Sequence, residues 1–148
     1  MRAGLLGVSL AAGLCGALAA APVSAQDDTR VAVIVHPARG AELTVDDLAQ
    51  IYLRRKRHWD NGEEIVPLNL ASGLPQRAQF SQRVLRQTEA RLADYWNRRY
   101  FDGVMPPATL ASTAAVRRYV AADRHAIGYV PAAEVDKTVR VILYLERD

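Results

Sequence analysis

The segment from Ser72 to Arg77 carries the side chains that are best suited to bind a small anion. Ser72 offers a hydroxyl, Gln76 an amide, and Arg77 a fork-shaped cation that pairs with carboxylate or phosphate oxygens. Pro75 is typical of the first turn of a helix. We therefore expect the segment to join a strand to a helix N-terminus, where unpaired N–H groups attract anions. The alternative is that Ser72 only caps a turn and that Arg77 is solvated.

No constellation typical of an enzyme accompanies this segment. The histidines are far apart in sequence and lack the spacing of a zinc site. The acidic pairs occupy adjacent positions, whose side chains point apart in a helix and to opposite faces in a strand. Gly-rich phosphate loops and the nucleophile elbow of hydrolases are missing. We expect no catalytic residue, no metal and no cofactor, and the candidates set aside are His36, His58, His125, Asp46-Asp47 and Glu63-Glu64.

The densest cluster of charge is the basic run Arg54-Arg55-Lys56-Arg57. Cations at the end of a helix complement its dipole and solvate the following loop, which is the simplest interpretation of the run. A net charge of only +3 and the lack of a recognition motif argue against nucleic acid as a partner. Contact with an anionic lipid or an acidic protein is the alternative.

Residues 1–25 are typical of a cleaved secretory signal peptide. Arg2 supplies positive charge, an uncharged apolar run follows from Leu5 to Ala21, and Val23-Ser24-Ala25 forms a small-residue cleavage site. The run is short for a membrane span and rich in Ala and Gly. The sequence thus predicts a periplasmic protein with a single domain, residues 26–148, that has lost Cys15 and has no stable membrane insertion after cleavage.

Hydrophobic patterning of the remaining chain predicts an α/β domain, a small mixed sheet covered by about four helices. Strands are predicted over residues 30–36, 64–70, 126–130 and 139–145. Helices are predicted to begin after Thr44, at Pro75, after Thr88 and after Ser112. Residues 104–109 contain two prolines and are predicted to form a loop. Pro67 indicates that the second strand has a free N–H side or lies near an edge.

The same patterning predicts which side chains form the core. Tyr100 and Tyr119 are also placed on the buried faces of their helices by their spacing. The predicted core residues are Val31, Val33, Ile34, Val35, Leu48, Ile51, Phe80, Val84, Leu92, Trp96, Val116, Val120, Ile127 and Val141.

Four segments in order, LTVDDLAQIYLRRKRHW, DNGEEIVPLNL, SGLPQRAQF and AIGYV, resemble the phosphate-type periplasmic substrate-binding proteins of ABC transporters. The first segment is similar to the family's IFxGxxxxW pattern, with Arg54 in place of the usual Gly. The third stands where the family has a Ser-Gly-Ser-Gly-Thr turn that opens a helix and holds the oxyanion. The last is similar to a later IGYV strand of the family.

The resemblance implies one lobe of a type II periplasmic-binding-protein-like fold, whereas family members usually have two lobes with the ligand between them. It implies a ligand site at Ser72, Gly73, Gln76 and Arg77. Leu74, Pro75 and Gln76 replace Ser, Gly and Thr of the family turn, so that two hydroxyl donors are lost.

Two functions remain open at this point. The first is an exported solute-binding domain that binds a small oxyanion such as phosphate weakly, or serves as an accessory component of an ABC transporter. Its partner would be a membrane transporter or another periplasmic protein. The alternative is a periplasmic protein-interaction module that has lost ligand binding.

Overall fold

A computed structural model describes residues 29–146 of the chain. The predicted signal peptide, with its cleavage site and Cys15, lies outside the described residues. Within the described part, no helix is long and apolar enough to cross a membrane. The strands are β1 Val31–Val35, β2 Val66–Leu70, β3 Ala108–Leu110, β4 Ala126–Pro131 and β5 Arg140–Leu145. The α-helices are α1 Val45–Tyr52, α2 Pro75–Phe80, α3 Glu89–Phe101 and α4 Thr113–Ala122.

The strands form one mixed sheet in the order β3-β2-β4-β1-β5. β1 is antiparallel to both β4 and β5, whereas β2 is parallel to both β3 and β4. Pairing of Pro67 with Ile127 and of Leu70 with Leu110 fixes the register of the parallel part. The carboxyl ends of β2, β3 and β4 therefore share one edge of the sheet, and the segment from Ser72 to Arg77 begins there.

The predicted loop at 104–109 is wrong in its second half, because Ala108–Leu110 forms β3. The two consecutive prolines indicated a loop, but a short edge strand follows them and pairs with β2. β2 is internal, but its proline still has a free side. The Val66 N–H donates to the His125 carbonyl near β4. Because successive N–H groups alternate in direction, the nitrogen of Pro67 faces the other neighbour, which begins pairing only at Leu68.

Side-chain caps confirm three of the four predicted helix starts, and α2 begins at Pro75 as predicted, without a side-chain cap. Thr44 forms a capping box with Asp47 at the start of α1. Thr88 accepts a hydrogen bond from the Arg91 N–H, and Ser112 accepts one from the Ala115 N–H. α2 continues as a π-helical turn, Ser81–Leu85, which ends at Arg86 in the left-handed conformation. A further 3-10 turn spans Ala132–Glu134.

The IGYV strand shows how helices cover both faces of the sheet. Neighbouring residues of a strand face opposite sides. On one side, a Cβ on Gly128 would lie 2.5 Å from Val116 Cγ1, so α4 packs tightly there. On the other side, the ring of Tyr129 stacks on Phe80 of α2 with centroids 4.0 Å apart. The sheet thus forms the middle layer between α4 and the helices α1 and α2.

All but two of the predicted core residues are buried. Trp96 and Val141 are instead partly buried against the core. The predicted burial of Tyr100 and Tyr119 is wrong, since they are 62% and 41% exposed. Both lie at the margin of their helix's apolar stripe, and α3 itself buries only Leu92 fully.

Candidate functional site

The candidate anion site is the turn between β2 and α2. The Ala71 N–H donates to Leu110 O at 3.0 Å, which ties the turn to the end of β3. The Leu74 N–H donates to Ala71 O at 3.4 Å and closes the turn. Gly73 has φ +92°, a conformation that L side chains rarely adopt. Sequence order alone places these residues at a strand–helix junction, and the structure confirms that position.

Three main-chain donors of this turn are available to a ligand. Within the described part of the chain, the N–H groups of Ser72, Gly73 and Gln76 form no hydrogen bond. Ser72 and Gly73 are exposed, and Gln76 is half-buried. Pro75 interrupts the series because it has no N–H. The turn can therefore donate main-chain hydrogen bonds and the Ser72 hydroxyl to a small oxyanion.

Arg77 is turned away from solvent, with only 13% of its side chain exposed. Its Nη1 donates to Leu70 O at 3.0 Å. Its Nε and Nη2 donate to the two carboxylate oxygens of Glu89 at 3.2 and 3.3 Å. This bidentate pairing uses the fork geometry that a bound oxyanion would need. The guanidinium therefore joins the end of β2 to the start of α3.

Glu89 is the residue of this site that sequence reasoning missed. Besides pairing with Arg77, it accepts a hydrogen bond of 2.9 Å from Ser81 Oγ. The carboxylate opposes the only cation of the predicted ligand set, so the net charge at the turn is close to zero. Glu89 follows Arg77 by 12 residues on a different helix, and no helical or strand spacing predicts such a pair.

Three aromatic side chains, Tyr52, Phe80 and Tyr129, pack together next to the turn. The Tyr129 hydroxyl donates to Asn69 Oδ1 and accepts from the Leu70 N–H at 3.4 Å. Phe80 lies between Tyr129 and Tyr52, with ring centroids 4.0 and 4.5 Å away. Burial raises the pKa of Tyr129 to about 12, so its hydroxyl stays protonated at neutral pH. These aromatic contacts join β2, β4, α1 and α2, whereas Ser72 and Gly73 of the turn are exposed.

Two of the four cations of the basic run lie close to carboxylates. Arg54 Nη1 donates to Ile65 O at 3.3 Å, and Nη2 lies 3.8 Å from Glu64 Oε1. Lys56 Nζ lies 3.8 Å from Asp47 Oδ1 and 3.6 Å from Asp60 Oδ1. These contacts support the interpretation of the run as the solvated end of α1.

Arg54 also clarifies the departure from the family pattern. Its φ is +57°, in the left-handed region that favours glycine. An Arg therefore occupies a backbone position that suits the Gly of the IFxGxxxxW pattern.

A second polar cluster lies at the opposite end of the strands, next to the amino ends of β2 and β4. Glu63 accepts hydrogen bonds from Arg39, Arg124 and Asn61, and His125 Nε2 lies 3.7 Å from it. The Arg39 hydrogen bond above all lowers the pKa of Glu63 to about 2. Arg39, Asn61 and Arg124 all donate hydrogen bonds to Glu63, and they connect three loops. The Glu63 carboxylate is therefore engaged in structural contacts and is not free for acid–base chemistry.

Two of the residues set aside as enzyme candidates, Glu63 and His125, lie 3.7 Å apart in the loop cluster. Among residues 29–146, no group of three or more His, Asp or Glu side chains is placed to hold a metal ion. Asp47 belongs to the cap of α1 and Glu63 to the loop cluster. Both carboxylates therefore have structural partners.

Comparison with solved structures identifies the fold. No protein-family model matches the sequence, and no curated protein matches it significantly. An ABC-type phosphate transport receptor from Vibrio cholerae is similar over 76% of this chain and 44% of its own, with TM-score 0.61 and 20% identity.

Two further structures agree. A putative phosphate ABC transporter substrate-binding protein with bound phosphate, from Clostridium perfringens, has TM-score 0.64 and 19% identity over 78% of this chain and 46% of its own. PstS from Borrelia burgdorferi has TM-score 0.57 and 15% identity over 77% and 47%.

The chain thus spans less than half the length of these solved proteins. Its fold is that of the matched portion. This coverage is consistent with a single lobe, as the resemblance in sequence implied. The neighbours are transport binding proteins rather than enzymes.

Proposed function

We propose that this protein is an exported, single-lobe solute-binding domain that binds a small oxyanion such as phosphate weakly at the turn from Ser72 to Arg77. The observation that carries the proposal is the row of unpaired N–H groups at Ser72, Gly73 and Gln76, at the carboxyl end of β2. The likeness to phosphate-binding proteins supports the same position. In this role the domain works without catalysis, metal or cofactor, in the periplasm, as an accessory component of an ABC transporter.

The contacts of the turn predict a low affinity. Two or three hydrogen bonds to a charged ligand contribute about 1.5–3 kcal/mol each. An open, solvated site reduces the strength of each interaction, because water screens the charges. With Arg77 already paired to Glu89, the sum corresponds to a dissociation constant on the order of 1 mM.

Titration of the protein with phosphate and sulfate, followed by amide chemical shifts, tests the proposal. We expect saturable shifts at Ser72, Gly73 and Gln76, and weaker binding in Ser72→Ala. Sodium chloride at equal ionic strength is the control, because screening alone would produce the same small shifts with any salt. Shifts at the basic run instead of the turn, with Ser72→Ala unchanged, would contradict the proposal.

The second candidate is a periplasmic interaction module that has lost ligand binding. The bidentate contact between Arg77 and Glu89 favours it, because the cation of the turn has acquired a structural partner. Under this hypothesis, phosphate and sulfate produce no saturable shift anywhere in the turn.

A further inference from the structure

A groove lined by three exposed arginines runs between the end of the π-helical turn and α3, and we call it the arginine groove. It consists of two adjoining clefts of about 540 and 550 Å³, which share Arg86, Gln87 and Arg91 in their walls. Arg98 completes the second cleft. Arg91 and Arg98 are seven residues apart, and this spacing places them on one face of α3.

The positive charge of the arginine groove is only partly compensated. No ion pair or hydrogen bond in the described chain involves the guanidinium groups of Arg86, Arg91 or Arg98. Glu89 also lines the groove, but its carboxylate is held by Arg77. Asp94 is the one other carboxylate in the walls, so three guanidinium groups face one unpaired negative charge.

We propose that the arginine groove binds an acidic segment of a partner protein. Guanidinium groups pair with carboxylates through two parallel hydrogen bonds, and spaced arginines can bind several acidic side chains of one segment. Two joined clefts provide room for an extended peptide rather than for a single ion. Tyr95, in the wall of the second cleft, offers an aromatic surface, and its hydroxyl is anchored to Leu53 O at 2.9 Å.

The position of Asp94 favours a protein segment over a membrane surface. Around the axis of α3, Asp94 lies between Phe101 on one side and Arg91 and Arg98 on the other. Phe101 is 88% exposed. A bilayer that received both Phe101 and the arginines would bring its anionic headgroups against this carboxylate. A peptide can place its own carboxylates beside the arginines and leave Asp94 in water.

The groove proposal does not depend on the oxyanion turn, and its test uses a different ligand. The probe is a blocked hexaglutamate peptide, titrated at low salt and followed by amide shifts. Arg86→Gln/Arg91→Gln/Arg98→Gln should weaken binding about tenfold, as expected when three exposed ion pairs are lost. A variant with the same charge change elsewhere, Arg118→Gln/Lys137→Gln/Arg140→Gln, should weaken it less than about twofold. Thermal melts verify that both variants fold.

Three results would overturn the proposal. The first is equal weakening in both triple variants, which would mean that only the net charge matters. The second is the lack of saturable shifts at the groove. The third is binding of vesicles, made from equal parts of phosphatidylglycerol and phosphatidylcholine, that depends on the three arginines while hexaglutamate does not bind.

Discussion

At the level of single residues, arginines of this chain differ in role according to the groups that surround each guanidinium. Arg77 is nearly buried and bound to a carboxylate and a carbonyl, so it stabilises the junction of β2 and α3. Arg91 and Arg98 are exposed and have no such partners in the described chain. The role of an arginine therefore depends on the carboxylates around it, which the fold brings from distant parts of the sequence.

Glu63 gives a prediction about acid stability. Its pKa is about 2 in the folded protein, against an ordinary value of 4.5, so the unfolded chain binds this proton more readily. The stability that Glu63 contributes is complete above about pH 5 and is lost as the pH falls towards 2. Thermal melts should show a steeper decline of Tm between pH 5 and 3 for the wild type than for Glu63→Gln.

The matched control for this comparison is Glu42→Gln. Glu42 is exposed and forms no ion pair among residues 29–146. Its variant should follow the wild-type decline. Parallel declines for all three proteins would contradict the assignment of the loop cluster as an acid-sensitive contact.

At the element scale, local rules predicted the helices better than the sheet. Thr44, Thr88 and Ser112 cap helices where their sequence positions indicated, because capping depends on residues within one turn. β3 was missed, since its strand character depends on pairing with β2 and not on its own residues. The pair of Arg77 with Glu89 was missed for the same reason, as it joins two elements that only the folded chain brings together.

Close packing of α4 on β4 gives a prediction at Gly128. Gly128→Ala would bring a methyl group within 2.5 Å of Val116 Cγ1 and 3.3 Å of Val120 Cγ2. Overpacking of this kind costs about 1–3 kcal/mol. Urea unfolding of Gly128→Ala, Val116→Ala and the double variant checks the contact. We expect the double variant to lose clearly less stability than the sum of the single variants, and simple additivity would contradict the account.

The two aromatic residues of the predicted core, Phe80 and Trp96, should differ in their contributions to stability. Phe80 is fully buried between two tyrosines, so Phe80→Ala should cost about 3–5 kcal/mol. Trp96 is only partly buried on α3, and its loss should cost clearly less. The free energies of unfolding from urea titrations decide this, and a larger loss at Trp96 would mean that α3 packs more tightly than described.

At the scale of the whole molecule, the proposed oxyanion turn lies on a chain that corresponds to part of a larger fold. It spans less than half the length of the phosphate-binding proteins whose fold it shares. Within the described residues, Ser72 and Gly73 of the turn are exposed, and Gln76 is half-buried. We expect an open site of this kind to bind an anion weakly. The proposed recognition of a partner through the arginine groove is a separate property of the same domain.

We predict that the protein is exported and that residues 1–25 are removed. The exported protein should begin near Gln26, and its intact mass should lack residues 1–25. Leu10→Arg, which places a charge in the apolar run, should leave the protein in the cytoplasm with its N-terminus retained. An exported protein that still contains Cys15 would show that the cleavage prediction is wrong.

We propose that the turn after β2 forms an oxyanion site and that Glu89 weakens it by holding Arg77. Phosphate affinity, measured from the amide shifts of Ser72 and Gly73, should increase at least about threefold in Glu89→Gln, because the released guanidinium adds a charged hydrogen bond. Glu42→Gln, the same substitution at an exposed site, should bind as the wild type does. Equal affinities in both variants, or no phosphate-dependent shift at the turn in Glu89→Gln, would show that Glu89 does not weaken an oxyanion site at this turn.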